Sequence, residues 1–182
     1  MNPRWRAILI AAIGIGAIGA SAPDRTPHYI WNLTPSIPRG LYRLDPDADV
    51  TVTTLVAVRL PEPLATALDL NGYLPLGVPL LKRVVALPGQ EVCRANVTIT
   101  VDAVALPSPS RLRDSRNRPL PSWQGCHCVG DDEIFLMNWD SDDSLDGRYF
   151  SVLPRSAVIA RAVPVWTDED GDGRFIWFAP TD

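Results

Sequence analysis

Pro79-Leu80-Leu81-Lys82-Arg83-Val84-Val85-Ala86-Leu87-Pro88-Gly89 decides how this chain is to be understood. An unbroken run of apolar and β-branched residues, closed by a Pro-Gly turn signal, predicts a strand. On a strand Leu80, Lys82 and Val84 share one face, and Leu81, Arg83 and Val85 share the other. One of the two adjacent cations therefore leans toward an apolar interior. Two states of Lys82 fit. It is a snorkelling lysine on an edge strand, with its ammonium in water, or a desolvated neutral amine that serves as a general base.

The chain has 182 residues, enough for one substantial core. At 46% hydrophobic and 21% charged residues, its composition is globular. A net charge of −4, with no basic cluster, argues against a nucleic-acid partner. The 18 prolines fall mostly between the apolar runs, which favours short strands joined by stiff loops over a helical bundle. There are no internal repeats, and outside the N-terminus no long segment keeps a 3.6-residue period.

The N-terminus carries Arg4 and Arg6 and no acid, followed by an uncharged run from Ala7 to Ala22. As a helix this run spans about 24 Å, short of a bilayer's roughly 30 Å hydrocarbon core. It lies between a signal-peptide apolar region and a short anchor. Ala20-Ser21-Ala22 has the small residues of a cleavage site, but Pro23 is a poor residue to follow a cut, which favours an uncleaved anchor. Under both alternatives the two arginines stay inside and the remainder is exported. The expected organisation is a membrane anchor or signal segment at 1–22 and an exported, mainly β domain at 23–182. His28-Tyr29-Ile30-Trp31-Asn32-Leu33 is aromatic, apolar and close to the membrane, as suits its interface. Strands are expected at Leu41–Leu44, Val50–Leu60, across Lys82, at Val97–Val101, Glu133–Met137, Val158–Val165 and Phe175–Phe178. One short helix is expected over Glu62–Leu70, and Arg111–Arg118 is an exposed loop by composition.

Ser36 sits between Pro35 and Pro38 in a loop. Alone it would be an ordinary turn residue. Beside Lys82 it acquires another meaning. A serine nucleophile needs a base, and neither His28 nor His127 has neighbours that suggest a triad. A Ser-Lys dyad needs no histidine. Thr34-Pro35-Ser36-Ile37-Pro38-Arg39-Gly40-Leu41-Tyr42 resembles the nucleophile segment of type I signal peptidases, in the form carried by the conjugative-transfer peptidases of the TraF family. Lys82-Arg83-Val84-Val85-Ala86-Leu87-Pro88-Gly89 is similar to that superfamily's lysine segment. Ser144-Leu145-Asp146-Gly147-Arg148-Tyr149-Phe150 is similar to its third. All three occur in the family's order behind an apolar N-terminus, and the resemblance covers essentially the whole exported part. Ser151 stands where the family usually has glycine, a change of little weight if the backbone there has negative φ. Asn138–Asp143 lacks the Gly-Asp-Asn-Arg lead of housekeeping signal peptidases, which points to the conjugative branch. The run before Val56 also lacks the Gly-Asp that often opens the corresponding strand.

The resemblance implies a signal-peptidase-like, β-rich catalytic domain behind an N-terminal apolar helix, with Ser36 as nucleophile and Lys82 as base. At an ordinary pKa near 10.4 roughly one lysine in 2,500 is neutral at pH 7, whereas at ~8 about a tenth are. That shift costs on the order of 3 kcal/mol, and burial between Leu80 and Val84 is able to supply it. The Ser36 N–H and the Thr34 hydroxyl would serve the oxyanion. Ser144 would hold the Lys82 amine, as the family's serine at that position does. Asp146 and Arg148, two apart, would share one face of a strand, as a structural ion pair or with Asp146 taking part in catalysis. Asp142 and Asp143 are rivals for that role.

The family's activity implies cleavage of an exported propeptide after small residues, at the outer face of the inner membrane and without a cofactor. For the conjugative branch the substrate is the pilin precursor of a type IV secretion apparatus. It is released by water, or by the pilin's own amine to give a ring. A general leader peptidase and a non-enzymatic channel subunit are the alternatives. A cytosolic self-cleaving Ser-Lys repressor is disfavoured by the apolar N-terminus and by the missing DNA-binding segment.

The remaining signals are weak. Cys93, Cys126 and Cys128 are an odd count, and a disulfide from Cys93 to Cys126 or Cys128, with Cys126 favoured, suits an oxidising compartment. Cys126-His127-Cys128 has no partner pair for zinc, so no metal is expected there. Asp168-Glu169-Asp170-Gly171-Asp172-Gly173 matches the opening of a calcium loop. Ala179 stands where the closing glutamate belongs, so a solvated turn is the simpler expectation.

Overall fold

The computed structural model describes residues 27–180, and the expected anchor at 1–22 lies outside them. Among the described residues no helix is long and apolar enough to cross a membrane. The Lys82 strand forms as β4 (Leu80–Ala86). It is an interior strand. On one side it pairs antiparallel with β3 (Leu55–Val58), with Lys82 opposite Val56, and on the other with β9 (Glu133–Leu136). Beyond β3 lie β11 (Val158–Asp168), β2 (Arg39–Asp45) and β1 (Tyr29–Asn32), each antiparallel to its neighbour. With β10 (Leu153–Pro154) on β9 and β12 (Ile176–Trp177) on β11, this sheet has eight strands. A second sheet of four strands comprises β5 (Glu91–Ala95), β6 (Thr98–Val101), β7 (Val104–Ala105) and β8 (Gly125–Cys128), in the order β7-β6-β5-β8.

The alternation along β4 distributes its side chains among three cores. Leu80 and Val84 pack with Val56, Val58, Leu136 and with Leu68 of α1 (Leu64–Leu70). Leu81 lies in a cluster with Ile37, Tyr42, Leu44 and Ala57. Past a bulge, Val85 and Ala86 join Val92, Ile99, Phe135 and Met137 in a third cluster that spans both sheets.

Several expected elements differ in the structure. Only Leu55–Val58 of the Val50–Leu60 run is a strand, because Thr51 and Thr54 bond each other's backbone and hydroxyl groups and hold a turn instead. β8 is an added strand. Its Gly-Cys-His-Cys sequence has little strand propensity, and pairing with β5 holds it in place. The third of the family-like segments is not a strand either: Gly147–Phe150 forms a helical turn, α2, capped by Asp146, whose carboxylate accepts the Arg148 N–H. Asp146 and Arg148 meet through that cap and not through a shared strand face. The chain leaves α2 at Ser151 with φ 64 and ψ −149, a region that is nearly glycine-only. The condition of negative φ is not met, so serine in place of glycine at Ser151 is strained.

Candidate active site

Lys82 is 4% exposed and lies in an apolar recess lined by Val58, Leu60, Leu136, Leu145 and Phe150. An interior strand gives its ammonium no route to water, which removes the snorkelling alternative. Its hydrogen-bond partner is the Ser144 hydroxyl, with Nζ 2.5 Å from Oγ. Burial holds the amine's pKa down at about 8 against an ordinary 10.5; nearby Asp146 pulls it up and Arg148 pushes it down. Each buried Val or Leu around it is worth about 1.5–3 kcal/mol, so one or two such neighbours offset the cost of a neutralised lysine.

Behind Ser144 lies a fully buried ion pair. Arg148 Nε is 2.9 Å from Asp146 Oδ1, and Nη2 is 3.0 Å from Oδ2. The backbone N–H groups of Arg148 and Asn138 also donate to the same carboxylate. The remaining guanidinium hydrogens go to the carbonyls of Ser108, Ser141 and Ser144. Asp146 thus accepts bonds at both oxygens. The pair fixes the turn that carries Ser144 and sets the charge beneath the Lys82 amine. Gly147 permits this packing, since a Cβ there would lie 2.6 Å from the Phe135 ring and 2.8 Å from the Leu136 carbonyl. Asp143 pairs instead with Arg111 at the surface, and Asp142 and Asp143 line a cleft of about 280 Å³ that Ser144 also lines.

The Ser36 loop joins β1 to β2, and Asn32 organises it. The Asn32 amide nitrogen lies 2.8 Å from the Thr34 carbonyl, 3.1 Å from that of Ile37 and 3.0 Å from that of Pro38. Its oxygen accepts the Thr34 N–H and the Thr34 hydroxyl. Tyr42 adds a bond from its hydroxyl to the Pro38 carbonyl at 2.7 Å. Gly40, at φ 141, lets β11 close against the loop: a Cβ there would meet the Trp166 carbonyl at 2.2 Å. Half-buried Ser36 has its Oγ 3.4 Å from the Thr34 hydroxyl and opens into a cleft of about 480 Å³. Arg39, Arg83, Asn138, Asp140 and the acidic turn Asp168–Gly171 line the same cleft.

No hydrogen bond joins Ser36 to Lys82 among the described residues. Asn138 links their two neighbourhoods. It lines the Ser36 cleft, accepts the Arg83 N–H at 3.1 Å and donates to the Leu81 carbonyl at 3.1 Å, so it clamps β4 on both sides of Lys82. Neither histidine competes as a base: His28 is exposed, and His127 pairs with Glu133 on β9.

A family model described as signal peptidase, peptidase S26, matches residues 3–167. This chain belongs to that family of signal peptidases. Its relatives extend the likeness over most of its length. A probable conjugal transfer protein TraF from Sinorhizobium fredii (strain NBRC 101917 / NGR234) is 34% identical, with 87% of each chain covered. A conjugal transfer protein TraF from Agrobacterium tumefaciens (strain 15955) is 34% identical over 86% of this chain and 92% of its own. A solved signal peptidase I from Enterococcus faecalis V583 is far looser, at 18% identity and a TM-score of 0.38 over 63% of this chain and 97% of its own.

In this signal peptidase family member, sequence reasoning did not single out Asn32, Asn138 or Arg94. Asn32 offered a usable signal: an asparagine two residues before a Thr-Pro-Ser loop is a ready Asx-turn former. Arg94, on β5, donates to the Arg148 carbonyl at 2.5 Å from the other sheet, and nothing local in the sequence announces that. Cys93 and Cys126 are disulfide-bonded across β5 and β8, while Cys128 is free and exposed.

Proposed function

We propose that this chain is a serine endopeptidase with a Ser36/Lys82 dyad that processes an exported propeptide, the pilin precursor of a conjugative transfer system. The observation that carries this reading is a lysine amine buried on an interior strand, with its pKa near 8 and a serine hydroxyl as its partner. An amine so held is neutral often enough to take a proton at physiological pH. A merely structural lysine gains nothing from that burial.

Ser36 Oγ attacks the scissile carbonyl while its proton passes to Lys82 Nζ. The oxyanion accepts from the Ser36 N–H and from the Thr34 hydroxyl, which turns toward it from Asn32. Collapse returns the proton from Lys82 to the leaving amine and leaves an ester on Ser36. Lys82, neutral again, then activates water or the amine that releases the ester. Ser144 orients the base, and Asp146 with Arg148 positions Ser144. Among the described residues no hydrogen bond joins Ser36 to Lys82, and catalytic hydrogen bonds are often long before substrate binds.

The names of the relatives, conjugal transfer proteins TraF, support the substrate class. The Cys93–Cys126 disulfide suits a domain on the outer face of the inner membrane. So does an aromatic surface on the side of β1, where Trp31 stacks on Phe175, Trp166 stacks on Trp177 and Phe178 is exposed. The test is the intact mass of the pilin precursor co-expressed with the wild-type chain, Ser36→Ala or Lys82→Ala. Shortening by the wild type alone is expected, and a further loss of one water would mark ring formation. Equal masses in all three, for this precursor and for a generic signal-peptide substrate, would reduce the chain to a scaffold.

A further inference from the structure

The acidic turn after β11 opens with Asp168, and that residue is not solvated. It is 4% exposed, one of its carboxylate oxygens accepts the Gly173 N–H at 3.1 Å, and the other, Oδ1, is buried without a partner. A buried carboxylate oxygen with no donor destabilises the fold, more so when charged, unless something binds it. Among the described residues no hydrogen-bond donor reaches that oxygen, and Arg174, the nearest basic residue in sequence, pairs with Asp172 instead.

The pattern around that oxygen is specific. Asp168, Asp170 and Asp172 alternate, and Gly173 follows at the sixth position with φ 85. This is the Asp-x-Asp-x-Asp-Gly opening of a calcium loop, in which positions one, three and five give carboxylate oxygens and the glycine makes the sharp turn. The bond from Gly173 to Asp168 ties position six back to position one and turns the first carboxylate toward its own loop. A solvated turn needs none of this, and it leaves Oδ1 unexplained.

We propose that Asp168–Gly173 is a Ca²⁺ site on the wall of the Ser36 cleft. Its ligands are Asp168 Oδ1, the carboxylates of Asp170 and Asp172, and the Arg174 carbonyl at position seven, with water completing the shell. Asp168, Asp170 and Gly171 line the cleft, and Asp168 is the register partner of Arg39 on β2, three residues after Ser36. Bound calcium therefore neutralises one wall of the cleft and fixes its backbone. The proposal stands independently of the peptidase reading.

Affinity is weak for two reasons. Ala179 occupies the closing position, so no bidentate glutamate is supplied there. The loop's three carboxylates are also not yet gathered: among the described residues, Glu91, Cys93 and Cys126 form the group close enough to share an ion, and the disulfide removes both of those thiolates. Asp172 must leave Arg174 when the loop closes. A Kd of about 10⁻⁴–10⁻³ M is expected, the range of extracellular calcium modules.

The test uses the full chain in detergent micelles and terbium luminescence, because Trp166 and Trp177 lie close enough in the fold to sensitise a lanthanide in this loop. Excitation of tryptophan should give terbium emission that Ca²⁺ displaces at millimolar concentration and Mg²⁺ does not. Asp168→Asn should abolish it. Asp170→Asn, at an exposed position that leaves folding intact, should weaken binding at least tenfold. Absence of emission from the wild type, equal displacement by Mg²⁺, or emission unchanged in Asp170→Asn would each overturn the site.

Discussion

Lys82 controls two quantities, stability and activity, and both rise with pH. With a folded pKa near 8 and an ordinary value of 10.5 when unfolded, the native state disfavours the proton throughout neutral pH. Below pH 8 the lysine is charged in both states, and the fold carries the full cost, on the order of 3 kcal/mol. Between pH 8 and 10.5 the native lysine gives up its proton while the unfolded one keeps it, so this contribution to stability rises with pH. Activity should follow the neutral amine. The kcat/KM of propeptide cleavage should climb about tenfold from pH 7 to 9, with an acid limb near 8. Asp146 raises the Lys82 pKa, so Asp146→Asn should move that limb below 8 wherever the variant folds, as a pH profile would show. A limb that stays at 8 would leave Asp146 with a purely structural part. Ser151 makes the second residue-scale case. Its φ of 64 strains a side chain that glycine would not have, so Ser151→Gly should raise the melting temperature by the equivalent of about 1 kcal/mol.

At the scale of elements, the proposed site draws on a strand, a loop and a single helical turn. The strand was legible. Lys82 stood out because a cation inside an apolar run with period-two faces has few explanations, and the structure buries it on the Leu80–Val84 face. The loop was half legible: Asn32 before Thr-Pro-Ser signals an Asx turn, but the three carbonyls that converge on its amide belong to a folded loop and leave no mark on the sequence. α2 was not legible as a helix, because four residues carry no periodicity, and only the Asp146 cap and its Arg148 partner make it one. Val50–Leu60 was right only over Leu55–Val58, since Thr51 and Thr54 satisfy one another before a strand can recruit them. The Asn32 contacts predict a separation of effects. Asn32→Ala should lower kcat about a hundredfold by releasing the Ser36 loop, while leaving the Lys82 acid limb near pH 8. Steady-state kinetics across pH would detect it, and a shifted limb would mean that loop and strand are coupled.

At the scale of the molecule, the region of the smaller sheet is fastened to the α2 turn and to a shared core. Arg94 reaches the Arg148 carbonyl, Trp123 donates to the Gly147 carbonyl at 2.9 Å, and Phe135 belongs to the cluster that spans both sheets. The disulfide between Cys93 and Cys126 closes β5 on β8, outside this junction, so it steadies the small sheet without touching Lys82. Its 33-residue separation predicts a loss of roughly 3–4 kcal/mol when both cysteines become serine, by the chain-entropy account, with the acid limb unchanged. The same bond reports the compartment. A disulfide between neighbouring strands persists where the surroundings are oxidising and is reduced where they are not. Full-length chain recovered from cells and alkylated without reductant should therefore carry a single adduct, at Cys128, and three once it has been reduced. Intact mass distinguishes the two states directly. Three adducts without reductant would place the domain on the reducing side of the membrane, away from any exported propeptide. The proposed substrate would then have to be abandoned, even if the Ser36/Lys82 chemistry survived.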